Sequence, residues 1–246
     1  MNQYNEINSH PRDGRIKFLP IGHRYLVDGN LSCTSVTQLV EQCFEQFDAD
    51  YWAARKATPM HTAEQIKAEW EAKGKASRDL GTLMHARIEA HYLGHEHDAD
   101  TLNDRTFGMF LDFHRNHPLT PYRTEWVIFD EDHSLAGTLD FLAVNPDGSF
   151  EIYDWKRSTK VVGDNGLPIP DKYGKRAFAP ISHVPDTTFH HYALQLSIYR
   201  YILATKYGIV ARAAHLGVFH PDMRRYHVVD VPYLEEEVKA LLQRRL

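Results

Sequence analysis

The chain changes period between residues 126 and 157, and this change restricts the fold more than any other feature of the sequence. Three β-rich runs, residues 126–129, 135–144 and 150–157, are separated by Asp130-Glu131-Asp132-His133 and by Asn145-Pro146-Asp147-Gly148-Ser149. Polar, turn-forming clusters this short join neighbouring strands, so the segment is predicted to form an antiparallel meander. The apolar positions before it follow helical spacing. Leu80, Leu83, Met84, Ile88 and Tyr92 predict a helix over 79–92 with Gly94 as its stop, and a second helix is expected over 104–116, ended by Pro118. Beyond the meander, residues 192–207 predict a helix stopped by Gly208. Strands are then expected at 213–219 and 226–231, and a closing helix at 233–245.

The N-terminal part has a strand-like alternation at 23–27, a turn at Asp28-Gly29-Asn30, and Thr34 or Ser35 placed to cap a helix running towards Lys56. Residues 63–73 predict another helix, weakened at its end by Gly74. No repeat, low-complexity tract or Pro/Gly/Ser linker divides the chain. The expectation is one α/β domain over 1–246, with a helical N-terminal extension at 1–78, a core at 79–231 and a C-terminal helix at 232–246. The 33 residues from Ser158 to His190 are too many for an ordinary connection and predict a functional loop.

Charge sets a second limit. A formal net charge of −5 gives no global attraction for nucleic acid, so any such contact requires a local basic groove or bound cations that reverse the field. Two cysteines, Cys33 and Cys43, are too few for a four-thiolate cluster and are expected as packed thiols. No apolar run approaches the ~20 residues of a membrane span, and residues 1–17 lack the apolar centre of a signal peptide; a soluble, cytoplasmic protein is expected.

The chemistry is concentrated in the meander. Asp140 lies in the apolar run Gly137-Thr138-Leu139-Asp140-Phe141-Leu142, where an ionised carboxylate is costly unless paired or bound to a cation. Asp154 and Lys156 repeat the anomaly in Ile152-Tyr153-Asp154-Trp155-Lys156, on the strand face opposite Tyr153 and Trp155. A five-residue loop pairs Val144 with Phe150, and the same register sets Asp140 opposite Asp154. Facing carboxylates repel unless something positive lies between them, and hard oxygen ligands favour Mg²⁺ or Mn²⁺. Lys156 would then stabilise charge at a phosphate, or position and help deprotonate a water. A solvated cluster in which Lys156 pairs with both aspartates also accommodates the pattern; the facing register favours the functional reading.

Gly81-Thr82-Leu83-Met84-His85 on a helix, Gly137-Thr138-Leu139-Asp140 and Asp154-Trp155-Lys156 on successive strands, and Gln195-Leu196-Ser197-Ile198-Tyr199 on a following helix together resemble the RecB-like branch of the PD-(D/E)XK nucleases, which includes phage and mitochondrial exonucleases. The resemblance covers roughly residues 79–231 and lacks the iron–sulfur cysteines of many relatives. It implies a restriction-endonuclease-like core: helix, three-stranded antiparallel meander, helix, strand. It also implies a metal-dependent deoxyribonuclease with His85, Asp140 and Asp154 at the metal and Lys156 as the catalytic lysine. Gln195 and Tyr199, one turn apart, would orient the site or contact DNA.

Several further residues stay open at this level. Glu89, one turn after His85, would reach the metal or pair with Arg87. Glu125 would be an auxiliary acid or a solvated strand-edge residue. His91, His95 and His97 with Asp98 and Asp100 suggest zinc or an exposed turn, and Thr34, Ser35 and Thr37 suggest helix capping or a phosphate site. Arg157, Lys160, Lys172, Lys175 and Arg176, interleaved with Tyr173 and Phe178, would contact phosphates and stack on bases, or form a solvated loop. The extension and this loop are expected to close over the site as a passage for single-stranded DNA or frayed ends.

Overall fold

A computed structural model describes residues 2–22 and 24–245. The fold is mixed α/β, with one mixed eight-stranded sheet and helices around it. The elements run α1 (Gln3–Ile7), β1 (Ile16–Leu19), β2 (Arg24–Val27), β3 (Leu31–Ser35), α2 (Val36–Gln42), α3 (Ala49–Lys56), α4 (Ala63–Tyr92), α5 (Ala99–Asn103) and α6 (Arg105–Asn116). Then come β4 (Pro121–Asp130), β5 (Leu135–Val144), β6 (Phe150–Lys156), α7 (Thr188–Lys206), β7 (Ala211–Val218), β8 (His227–Asp230) and α8 (Glu235–Leu242). No helix of the described residues is long and apolar enough to cross a membrane.

The meander is present: β4 and β5, and β5 and β6, pair antiparallel, with Val144 opposite Phe150 as the loop length requires. β6 and β7 pair parallel, and α7 makes the crossover that parallel neighbours need. β4 occupies one edge of β5 along almost its whole length. The other edge is shared. β3 takes Leu135 and Ala136 in parallel, and β6 takes Phe141 to Val144. Residues 137–140 lie between these two ladders, where β6 has left β5 to continue along β7. This splay opens the sheet at the Gly-Thr-Leu-Asp motif.

Alternation along β6 divides its side chains between two environments. Trp155 faces α6, within an aromatic cluster containing Phe110, Phe113 and Phe219. Asp154 and Lys156 face α7, and the Lys156 ammonium lies 4.6 Å from the centre of the Tyr192 ring. A one-residue slip would exchange these two sets. Burying an aromatic side chain of roughly 150–250 Å² contributes about 4–6 kcal/mol at ~25 cal/mol/Å², enough to offset the several kcal/mol lost by desolvating a carboxylate. Trp155, 2% exposed, therefore holds the register that buries Asp154, 1% exposed.

The extension differs from the expectation of a helical one. It contains the antiparallel β1–β2–β3 unit, which joins the main sheet through β3 and β5. The expected strand start at His23 lies outside the described residues. Asp28 and Gly29 have φ of 50° and 78°, making the tight turn into β3, a strand that local pattern does not announce. Ser35 forms a capping box with Gln38, but its helix ends at Gln42 and a separate α3 follows. The boundary drawn at residue 78 falls inside α4, which runs unbroken through Gly74. Glycine costs about 1 kcal/mol in a helix interior but stops one only where the backbone turns left-handed, as Gly94 does at φ 75°. α7 begins at Thr188, before the expected start, and α8 spans less than 233–245.

Arg123, 2% exposed, ties the N-terminal segment to β4. It donates to the Asn5 and Asn8 carbonyls, pairs with Asp13 at 2.8 Å and stacks over Trp126. The long loop is also anchored, with Val161, Val162, Ala177, Ile181 and Val184 buried.

Candidate active site

Where β6 leaves β5, the Trp155 amide and carbonyl lose their ladder partners. Two side chains replace them. The Trp155 N–H donates to the Asp140 carboxylate at 2.8 Å, and the His85 Nε2 lies 2.9 Å from the Trp155 carbonyl, which accepts its proton. Buried backbone groups require such partners, so satisfying Trp155 also orients the acid and the imidazole. With Nε2 so engaged, His85 Nδ1 faces the Glu125 and Asp140 carboxylates at 3.5 and 3.6 Å. Burial disfavours the imidazolium, yet Asp140 and Glu125 outweigh it and raise the His85 pKa to about 9.

Strand register brings a third acid into line. Thr124 pairs with Phe141 and Trp126 with Leu139, so Glu125 stands opposite Asp140; the β5–β6 ladder ends at Phe141 and Tyr153, so the expected pairing of Asp140 with Asp154 is not made. Glu125 and Asp140 thus lie abreast on neighbouring strands, and Asp154 lies where β6 has parted from β5. Glu125 has φ 45° inside β4, a conformation costing a non-glycine residue about 1–3 kcal/mol and characteristic of functional positions. His85, Glu125 and Asp140 each offer a ligand atom within 4.8 Å of the others.

Asp154 lies beside this group. It forms an ion pair with Lys156, and its Oδ1, fully buried, has no hydrogen-bond partner. Burial and Asp140 push the Asp154 carboxyl pKa upward, while Asp154 and Asp140 overcome desolvation to push the Lys156 ammonium upward as well. The proton of the pair belongs on nitrogen, since moving it to Asp154 would forfeit the attraction of both carboxylates for Lys156. In this pair Lys156 is the cationic partner of Asp154. An unsatisfied carboxylate oxygen next to a group of hard donors fits a divalent cation such as Mg²⁺ or Mn²⁺.

The cleft above these residues measures about 450 Å³. α4 contributes Gly81, Thr82 and His85; β4 and β5 contribute Glu125, Thr138 and Asp140; α7 contributes Gln195 and Tyr199. Phe18, Tyr25 and Thr37 of the extension complete it. Gln195 Nε2 donates to the Tyr199 hydroxyl at 3.4 Å, so the pair one turn apart does meet at the cleft. A Cβ on Gly137 would lie 2.7 Å from the Tyr199 ring, so glycine there lets the tyrosine lie across β5.

Other expected residues fall elsewhere. Arg157, just past the end of β6, lines a narrow crevice with Leu80, Leu83, Arg87 and Asp104, apart from the cleft. Glu89 accepts from the Asn2 side chain at 2.8 Å, and Arg87 pairs with Asp104 instead. His91 and His97 pack against Phe107, and Asp98 caps α5. Ser35 caps α2, Thr34 accepts from Arg245, and Thr37 reaches the cleft. Loop and extension do meet, but just beyond the end of α2: Phe178 N–H donates to the Cys43 carbonyl at 2.7 Å and Lys175 pairs with Glu45. Arg176 pairs with Asp171. Lys160, Lys172 and Tyr173 line a separate hollow, so the loop does not wall the cleft. Both cysteines are free and buried. Glu125 was the ligand candidate least legible in sequence. Its strand begins at Pro121, and only a β4 extended that far sets it opposite Asp140.

No family model and no curated protein matches the chain. Among solved structures, the crystal structure of SSO0001 is similar at 17% identity over 85% of this chain and 73% of that one, with a TM-score of 0.37. So loose a superposition carries no weight for fold or function.

Proposed function

We propose that the chain is a metal-dependent deoxyribonuclease that hydrolyses phosphodiester bonds, acting as an exonuclease on single-stranded or frayed DNA ends. In this reading β4–β5–β6, α7 and β7 form a restriction-endonuclease-like core. The observation that carries the reading is the cluster of His85, Glu125 and Asp140, whose ligand atoms converge, with the buried Asp154–Lys156 pair beside it. The succession of motifs that resembles the RecB-like nucleases supports it.

Asp140 and Asp154 would hold a divalent cation, with Glu125 completing the donor set and His85 joining it through Nδ1 once the cation displaces that nitrogen's proton. Such a cation supplies Lewis acidity at a phosphate oxygen and acidifies a water. The cleft needs it, because its lining has two carboxylates and neither lysine nor arginine, a surface that repels phosphate. Lys156, paired with Asp154 behind the cleft lining, would offset from there the charge that develops as water oxygen bonds to phosphorus and the bond to the leaving oxygen breaks. Trp155 holds Asp140 and His85 in place through its amide and carbonyl.

The test is incubation with end-labelled linear and closed circular DNA, single- and double-stranded, in Mg²⁺, Mn²⁺ or EDTA. Metal-dependent loss of linear ends with circles spared is expected. Equal cleavage of circles would make the enzyme an endonuclease, and binding without cleavage would make it a nucleic-acid-binding protein on the same fold.

A further inference from the structure

Gly81 lies in the interior of the thirty-residue α4, where glycine weakens the helix relative to alanine. The fold gives no reason for it. Its backbone is helical rather than left-handed, and a Cβ placed there would have nothing within 4 Å. Gly137 and Gly217 differ: a Cβ on either would lie 2.7 Å from a neighbouring ring, so packing requires them. What Gly81 borders is the cleft. It stands one turn before His85 on the same face of α4, and exposed Arg78 precedes it by three residues.

The cleft is open but has only the size of a small-ligand site, so a polymer reaching the carboxylates must continue past its rim, to which α4 contributes Gly81, Thr82 and His85. We propose, resting on the nuclease reading above, that Gly81 is the specificity-determining opening in that rim. A nucleic-acid strand crosses α4 over the bare backbone at Gly81, between His85 and Arg78, and a side chain at this position would obstruct it. The substrate is thereby a continuing strand rather than a mononucleotide or small diester enclosed in the cleft.

Gly81→Ala, Gly81→Leu and, as a control, Gly108→Ala test the proposal. Gly108 lies in α6 outside the cleft, and a Cβ there would also have nothing within 4 Å. Gly81→Ala and Gly108→Ala should each raise Tm by about 2–4 °C. With Ca²⁺ replacing Mg²⁺ to suppress cleavage, fluorescence anisotropy of a labelled single-stranded oligonucleotide should show affinity unchanged in Gly108→Ala, reduced in Gly81→Ala, and reduced about tenfold or more in Gly81→Leu. Mn²⁺ affinity by calorimetry should hold within about twofold in all three. Wild-type strand affinity and cleavage in Gly81→Leu would overturn the proposal, as would a fall in Tm for Gly81→Ala, which would make Gly81 a packing residue. A wild-type protein that neither binds nor cleaves a strand with any divalent cation would overturn the nuclease reading itself.

Discussion

The carboxylate of Asp140 accepts the Trp155 amide at 2.8 Å, so a side chain on one strand makes the bond that a ladder carbonyl would otherwise make on the next. The same group is therefore a structural acceptor and a candidate metal ligand. The two roles can be separated. Asp140→Asn keeps an acceptor for Trp155 and should retain the wild-type Tm in EDTA while lowering cleavage about 100-fold or more. Asp140→Ala orphans the buried amide and should cost a further 1–3 kcal/mol, roughly, in urea unfolding. Equal stability of the two variants would remove the structural role, and full cleavage by Asp140→Asn would remove the catalytic one.

Lys156 is the ion-pair partner of Asp154, whose oxygens otherwise lack hydrogen bonds. Lys156→Ala should lower stability by about 3–5 kcal/mol in EDTA, because it strands a buried carboxylate. Mn²⁺ should restore part of that loss by giving Asp154 a new positive neighbour. Thermal unfolding with and without Mn²⁺ measures both effects. A variant as stable as wild type in EDTA would mean that the pair contributes nothing.

Gly137 and Tyr199 should behave as one unit. A Cβ at 137 would meet the Tyr199 ring at 2.7 Å, so Gly137→Ala should destabilise by about 1–3 kcal/mol through overpacking. Adding Tyr199→Leu, which removes the ring, should recover part of this, giving a coupling energy above about 0.5 kcal/mol in a double-mutant cycle. Strict additivity would place the strain elsewhere.

His91, on α4 outside the cleft lining, is expected to make the fold sensitive to acid. Burial, then His114 and His97, lower its pKa from 6.5 to about 4. Between these values the unfolded chain binds the proton and the folded one does not, so unfolded molecules gain as pH falls. The stability His91 contributes should be complete above pH 6.5 and decline as pH drops towards 4. Urea midpoints from pH 7 to 4.5 should fall less steeply in His91→Gln than in wild type; parallel slopes would contradict the assignment.

Local sequence carried much of the scaffold. Loop length between Val144 and Phe150 set the β5–β6 register and hence brought Asp140 towards Asp154, and alternation placed Lys156 with Asp154 and Trp155 on the other face. Gly94 as a stop and Gln195 one turn from Tyr199 were equally legible, because each depends on residues within a few positions. Tertiary structure alone decided the rest. Glu125 joins the site only because β4 lies along β5, and Phe18, Tyr25 and Thr37 only because β3 docks against the start of β5. The sharing of one β5 edge by β3 and β6, which opens residues 137–140, leaves no trace in either strand's own pattern. The physical reason is range: turns, caps and alternation are interactions between near neighbours, whereas a gap between two ladders is a relation among strands separated by more than a hundred residues.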